Sequence, residues 1–371
     1  MRKLAFLIFV AILAAAGWLS WALLSPTEPA TQTFVLLRPG YSTRRIAAEL
    51  KSAGVIRSER AFILWHYFRR RRTLKAGEYL FEKPADIIDI HKRLRRGDVY
   101  VHTVVVPEGY TMFDIARAIE AAGLGSAANF VQVAQSDTAL IADIAPGAPS
   151  LEGYLFPDTY EFTRLMSMQE MAGAMVKQFR QVAHQIGLTG PAISEAADTS
   201  SGNSRTPRQT AVDISDVRDP SPSQPAQESA DPARTSVERT VIMASIVEKE
   251  TRVPEERPLV ASVYYNRLAQ NIALDADPSI IYAELLSGTY TGALHHADMQ
   301  FRSPYNTYRN AGLPPGPIGN PGKSALEAAM HPAQSEYYYF VADAQGHHRF
   351  ARTMEEHDKN VAAYRKAMRG H

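Results

Sequence analysis

Val35-Leu36-Leu37-Arg38-Pro39-Gly40-Tyr41-Ser42, followed by Ile46-Ala47, Leu50 and Ala53-Gly54-Val55, has an echo sixty-nine residues on. The second copy reads Val104-Val105-Val106-Pro107-Glu108-Gly109-Tyr110-Thr111, followed by Ile115-Ala116, Ile119 and Ala122-Gly123-Leu124. Each copy predicts a short strand, a glycine turn with Ser or Thr as N-cap, and an amphipathic helix closed by glycine. The echo continues in Gly77-Glu78-Tyr79-Leu80-Phe81 and Gly153-Tyr154-Leu155-Phe156, and an amphipathic helix can be drawn after each. Residues 31–190 therefore read as two related small α/β units.

Strand–helix units of this shape suit polymer-binding modules such as LysM domains, although shape alone does not assign a ligand. The second helix of the first unit carries Trp65, Tyr67 and Phe68 and closes on Arg69-Arg70-Arg71-Arg72. That run is either a solvated face or a contact for anionic lipid or wall polymer.

Upstream, Met1-Arg2-Lys3 precedes an uncharged run from Leu4 to Leu24 that ends at Ser25-Pro26. Twenty-one residues at about 1.5 Å each span roughly 30 Å, one bilayer core. The run is longer than the apolar region of a signal peptide. Trp18 and Trp21 sit where an aromatic belt would, and the only flanking basic residues come first. We expect an uncleaved single-pass anchor over residues 1–27, with a cytoplasmic N-terminus and everything else outside.

Downstream, residues 194–236 hold nine Ser, five Pro and no Leu, Phe, Tyr or Trp. Such a segment buries too little apolar surface to offset its ordering entropy, and it reads as a disordered insertion. The whole chain has 371 residues, with 40 Lys and Arg against 39 Asp and Glu. That balance gives no support to a nucleic-acid binder held by bulk charge. Cysteine is absent, which excludes disulfides, thiolate metal sites and cysteine nucleophiles.

The region 237–371 has the densest pattern. Val237, Val241, Ile242, Met243, Ala244, Ile246 and Val247 make a helix that is apolar nearly all round and runs into Glu248-Lys249-Glu250-Thr251. Further helices are expected near 255–270, up to Leu286, near 324–330 and over 354–369, with a strand-like run at 337–341. The Glu248/Glu250 pair is either a solvated helix end or the seat of chemistry. A carboxyl at the end of an apolar helix meets poor solvation and the negative end of the dipole, and both raise its pKa as a general acid needs. Residues i and i+2 lie about 200° apart, so one cleft takes one of the two. The other should face Arg252, Arg257 or Arg267. Gly322-Lys323-Ser324 lacks the first glycine of a phosphate loop, and His295-His296 and His347-His348 lack metal-helix spacing. No metal or other cofactor is implied.

At this point the sequence resembles the endolytic murein transglycosylase (MltG/YceG-like) family. The matching stretches are Met243–Thr251, Ala261–Leu268, Asp277-Pro278-Ser279-Ile280-Ile281-Tyr282, Tyr305-Asn306-Thr307-Tyr308, Gly312–Ile318 with Asn320-Pro321-Gly322, and Tyr339–Asp343. Ser279 stands where the family usually has Thr, and it keeps the hydroxyl.

The resemblance implies a lytic transglycosylase that cuts the MurNAc-β-1,4-GlcNAc bond within nascent glycan strands and leaves a 1,6-anhydro-MurNAc end. It gives Glu250 as the catalytic acid. Glu248, Asp277, Tyr305, Asn306 and Tyr308 are candidate supporting or sugar-contacting residues, each also readable as stabilising a loop or helix end. The expected fold is α+β: the anchor, a LysM-like module at 31–100, a catalytic region begun at 101–193 and completed at 237–371, and the 194–236 insertion between them. The expected location is the bacterial inner membrane with a periplasmic body, with peptidoglycan strands and peptidoglycan synthases as candidate partners. The alternatives are a hydrolytic muramidase and a non-catalytic wall-binding scaffold of the growth machinery.

Overall fold

The computed structural model describes residues 2–29, 31–69, 73–188 and 236–369. Of the expected insertion only Ser236 is described, and it opens a helix; the rest of it, with Arg70, Arg71 and Arg72, lies outside the described residues.

The elements follow in the order α1 (Arg2–Leu24), β1 (Thr33–Leu37), α2 (Thr43–Ser52), α3 (Glu59–Phe68), β2 (Gly77–Phe81), α4 (Ile87–Arg96), β3 (His102–Val105), α5 (Met112–Ala121), α6 (Ala127–Ser136), β4 (Thr159–Phe162) and α7 (Met168–Gln185). After the undescribed stretch come α8 (Ser236–Glu250), α9 (Arg257–Ala269), α10 (Asp277–Ser287), α11 (Lys323–Met330), β5 (Tyr339–Ala342), β6 (His348–Ala351) and α12 (Met354–Arg369). The strands form three two-stranded sheets, β1 with β2, β3 with β4, and β5 with β6. This is a mixed α+β chain in which helices carry most of the core.

Both copies of the repeat place strand and helix as the sequence predicts. Ser42 caps α2 by accepting from the Arg45 amide at 3.2 Å. In the second copy Thr111 and Asp114 exchange bonds, the Asp114 amide to Thr111 Oγ1 at 3.3 Å and the Thr111 amide to Asp114 Oδ2 at 2.9 Å. That is a capping box, with two orphan helix-end donors satisfied reciprocally. The later echo is sequential but not structural. Gly77–Phe81 is a strand in register with β1, Val35 opposite Tyr79. Gly153–Phe156 is a turn instead, with Gly153 at φ +88. A Cβ on Gly153 would sit 2.4 Å from Pro317 and 2.8 Å from Val241, so only glycine fits that contact.

The chain forms two compact units. The first comprises residues up to Val104 with Ala121–Leu124 and Tyr160–Ser167. Its core is Val35, Leu37, Leu50, Phe62, Tyr79, Phe81, Ile90 and Leu94, joined by Ala22 and Leu23 from the last turn of α1. The 23 residues of α1 are, apart from this last turn, almost wholly exposed, and the helix is long and apolar enough to cross a membrane. Glu78 is buried in this unit and is paired with His102 at 2.7 Å and Arg164 at 3.2 Å.

The second unit comprises Val105–Glu120, Gly125–Thr159 and Met168 onward. Its centre is α8, whose residues 241–248 are all buried and which packs on α11, α9 and α10. The absence of a polar stripe along α8 follows from having neighbours on several sides. Asn320 ties the loops together. Its Oδ1 accepts from the Gly153 amide at 2.8 Å and the Leu155 amide at 2.9 Å; its Nδ2 donates to Tyr110 O at 2.9 Å and to Glu152 Oε1 at 2.6 Å. The loop is thereby pinned with every amide hydrogen-bonding position filled.

Candidate active site

The end of α8 presents its two carboxylates to different surroundings. Glu248 faces the protein: Arg257 Nη2 donates to its Oε1 at 2.6 Å and the Gly322 amide to its Oε2 at 2.9 Å. Both partners of this ion pair have side chains 5% exposed. Of the three arginines considered from sequence, Arg257 is the partner. Burial pushes the Glu248 carboxyl up, against the Gly322 amide and the Arg257 charge.

Glu250 faces a cleft of about 520 Å³. Its Oε1 accepts a hydrogen bond from the Tyr264 hydroxyl at 2.8 Å, reaching across from α9. Burial pushes this carboxyl up to about 7; the Tyr264 bond opposes that rise and the nearby Asp277 charge adds to it. Near neutrality Glu250 can therefore hold a proton and release it. The Tyr264 phenol is itself driven well above its ordinary value, by burial first and then by Glu250, so it remains a donor.

Asp277 and Tyr308 line the same cleft, and the Tyr308 hydroxyl donates to Asp277 Oδ1 at 2.6 Å. Tyr305 and Asn306 do not line it. Asn306 is fully buried, with Nδ2 on Met299 O and Phe301 O and with Oδ1 accepting the Tyr308 amide at 3.0 Å. Tyr305 packs its ring on Tyr282 at 5.1 Å. These two build the loop that delivers Tyr308. Ser279 supports the same loop: its hydroxyl meets Thr307 Oγ1 at 2.9 Å, the bond for which a hydroxyl at this position suffices.

The opposite wall is the β5–β6 hairpin, which brings Tyr339, Phe340 and His348. Buried Arg267 attaches it to α9, donating to Tyr338 O at 3.2 Å, to Ala273 O at 2.6 Å and to Asp275, with its guanidinium 5.6 Å from the Tyr339 ring centre. A second attachment escaped sequence reasoning. Glu256 accepts from His347 Nδ1 at 2.9 Å and His348 Nδ1 at 2.7 Å, and from the His348 amide at 3.2 Å. Burial opposes ionisation there, but the His348 and His347 hydrogen bonds hold the Glu256 carboxyl below its ordinary value. The His pair that lacked metal spacing thus anchors a cleft wall. Among the described residues no group of three or more His, Asp and Glu is arranged to hold a metal ion.

Tyr264 was also missed, because at helical spacing with Val260 and Val263 it reads as core. Burial is true of its ring, but a buried phenol needs a hydrogen-bond partner, and that requirement was the available signal.

Chemically, the site has one protonatable carboxyl near neutrality, two further acidic side chains in the same cleft, Asp277 and the Arg267-paired Asp275, and aromatic rings able to stack on flat apolar faces. Comparison with known proteins bears on this arrangement. The model of the YceG-like family matches residues 35–363. A Bacillus subtilis (strain 168) protein named endolytic murein transglycosylase is 30% identical over 361 residues, covering 92% of this chain and 88% of that protein. A protein of the same name from Streptococcus pneumoniae serotype 2 is 27% identical, covering 97% of this chain and 64% of that protein. A crystal structure of a yceG-like protein from Listeria monocytogenes superposes with a TM-score of 0.52 at 30% identity, covering 88% of this chain and 98% of that one. With the match running from β1 into α12 and taking in both the repeat and the cleft, the chain belongs to the YceG-like family.

Proposed function

We propose that the chain is an endolytic lytic transglycosylase that cleaves the MurNAc-β-1,4-GlcNAc bond within peptidoglycan glycan strands and leaves a 1,6-anhydro-MurNAc end. The observation that carries the reading is Glu250, a carboxyl pushed up to about 7 on a cleft wall and held there by the hydroxyl of Tyr264.

Glu250 donates its proton to the glycosidic oxygen as the bond to C1 of the muramic residue breaks. The carboxylate so formed accepts the proton of that residue's 6-hydroxyl as its oxygen bonds to C1. The proton count closes on Glu250 and no water enters. Asp277 supplies negative charge near the developing oxocarbenium-like centre. Tyr264 keeps the Glu250 carboxyl aimed in both protonation states, because its hydroxyl can donate to a carbonyl oxygen or to a carboxylate. Tyr339 and Phe340 offer rings to the apolar faces of sugars.

The 23-residue apolar α1 supports a single crossing of the inner membrane, with Arg2 and Lys3 in the cytoplasm and the body in the periplasm. We assign strand holding to the LysM-like module at 31–100 and cleavage to residues 101–193 and 237–371. Nascent strands are the substrate and peptidoglycan synthases the neighbouring partners.

One observation favours a second reading. Asp277 lies in the cleft close enough for its charge to act on Glu250, and two carboxylates are what a hydrolytic muramidase uses. Digestion of glycan strands by the full chain in detergent, followed by mass spectrometry, separates the readings. Anhydro ends, lighter by one water, support the proposal. Reducing ends support the hydrolase, and binding without cleavage supports the scaffold.

A further inference from the structure

We propose that the exposed face of α3 is a membrane-interface seat, which presses the first unit onto an anionic lipid surface beside the point where α1 leaves the bilayer. The inference rests on the reading of α1 as a membrane-crossing helix.

Three observations within the first unit carry it. The first is that α1 does not end in a free tether. Ala22 and Leu23 belong to the unit's core, Leu19 packs against it, and α1 touches both α3 and α4. Arg57, just before α3, donates to Pro26 O at 3.1 Å and lies 5.5 Å from the Trp21 ring centre. The unit is therefore fixed to the last turns of α1, at the depth where the helix leaves the hydrocarbon.

The second is the face α3 turns outward. Ala61, Phe62 and His66 are buried in the unit. The opposite stripe is Arg60, Leu64, Tyr67 and Phe68, at the i, i+4, i+7, i+8 spacing of one helical face. Leu64 is 40%, Tyr67 49% and Phe68 69% exposed. Single exposed apolar residues need no explanation, whereas three large ones on one face of a ten-residue helix do. Ten residues span about 15 Å, so every part of α3 lies within that distance of its contact with α1. An interfacial helix buries its apolar face roughly 5–10 Å into the headgroup and acyl boundary.

The third is charge. Arg57, Arg60 and Arg69 are exposed around the stripe, and Arg69 lies 4.7 Å from the Trp65 ring centre. Aromatic and aliphatic residues on one face with arginines around it fit anionic phospholipid headgroups over an acyl boundary. A soluble wall polymer would match the arginines and leave the apolar stripe in water.

The test uses the full chain in vesicles of phosphatidylglycerol and phosphatidylethanolamine containing lipids brominated high on the acyl chain. The sequence has three tryptophans, Trp18, Trp21 and Trp65. Trp18→Phe, Trp21→Phe and Trp65→Phe combined with Phe68→Trp put the sole tryptophan on the stripe, at an exposed position that tolerates the larger ring. A companion chain keeps Trp18 alone and reports insertion of α1.

The proposal predicts a blue-shifted Phe68→Trp probe that loses roughly half or more of its emission to the bromolipid, as an interfacially buried ring would. Adding Arg60→Glu and Arg69→Glu should weaken that quenching. An unquenched probe beside a quenched Trp18 chain would overturn the seat and leave the anchor standing, whether its emission is water-like or is shifted to the blue by a second copy of the chain covering this face. If neither chain is quenched, α1 does not insert, and anchor and seat fall together.

Discussion

The two sides of the end of α8 are built on opposite principles although they are two residues apart. On the inner side Glu248 is locked by a guanidinium at 2.6 Å and a backbone amide at 2.9 Å, and the pair is shut away from solvent. On the cleft side Glu250 has a neutral phenol at 2.8 Å and a nearby acid in place of a cation. Burial raises both carboxyls, but at Glu248 a backbone amide and an opposite charge pull back toward the ionised form, whereas at Glu250 only a neutral donor opposes burial and a second acid adds to it. The difference teaches why one helix turn can supply a structural ion pair and a proton carrier together. The tandem acids are not redundant.

The sharpest break of the comparison is Glu250→Gln. It keeps the shape but not the proton, and it should lower kcat by about 10²–10⁴-fold with folding intact, as read by digestion kinetics and circular dichroism. Glu248→Ala should act on the other axis. It leaves the buried Arg257 with only the more distant, half-exposed Glu108 carboxylate at 3.6 Å, and should lower stability by up to about 3–5 kcal/mol in denaturant titration, while activity per folded molecule stays near wild type. Equal behaviour of the two variants in both assays would erase the distinction.

Tyr264→Phe is a smaller perturbation. Removing the hydroxyl removes a bond that favours the ionised carboxylate, so the alkaline limb of the kcat profile should move to higher pH and kcat should fall by about tenfold. An unmoved limb would deny Tyr264 its positioning role. His348→Ala should raise KM by about threefold to tenfold with kcat largely kept, because it loosens a cleft wall without touching the acid.

A separate axis of the comparison is the pH dependence of stability. The folded pKa of Glu250 is raised to about 7 and that of Glu152, mainly by burial, to about 8. The native state therefore keeps protons that the unfolded chain releases above its ordinary carboxyl pKa. Their contribution is complete at acid pH and is lost as pH rises from about 4.5 through those folded values. Thermal melts should fall over that window, and Glu250→Gln should flatten the part of the fall below about 7. A variant curve parallel to wild type would place the titration elsewhere.

Where sequence reasoning succeeded, local physics decided the outcome. Local sequence pattern placed α8, α9 and α12, and the 200° rule separated Glu248 from Glu250, with Arg257 among the candidate partners. The α+β character was legible for the same reason. What stayed hidden depends on contacts between distant residues. Asn320 binds the amides of Gly153 and Leu155 more than 160 positions away, which turns the second echo into a turn where its first copy is a strand. Glu256 and His348 are 92 positions apart. Asn306 looked available to a sugar because an amide side chain reads as polar surface, whereas the folded loop occupies its amide atoms.

The central claim is that Glu250 carries a transferable proton near neutrality. Carbon-13 NMR of glutamate carboxyls in the full chain, with Glu250→Gln used to assign the resonance, measures it directly. The account predicts a midpoint near 7 for Glu250. A midpoint at the ordinary glutamate value of about 4.3 would contradict it, since the group would then be a carboxylate throughout the working range.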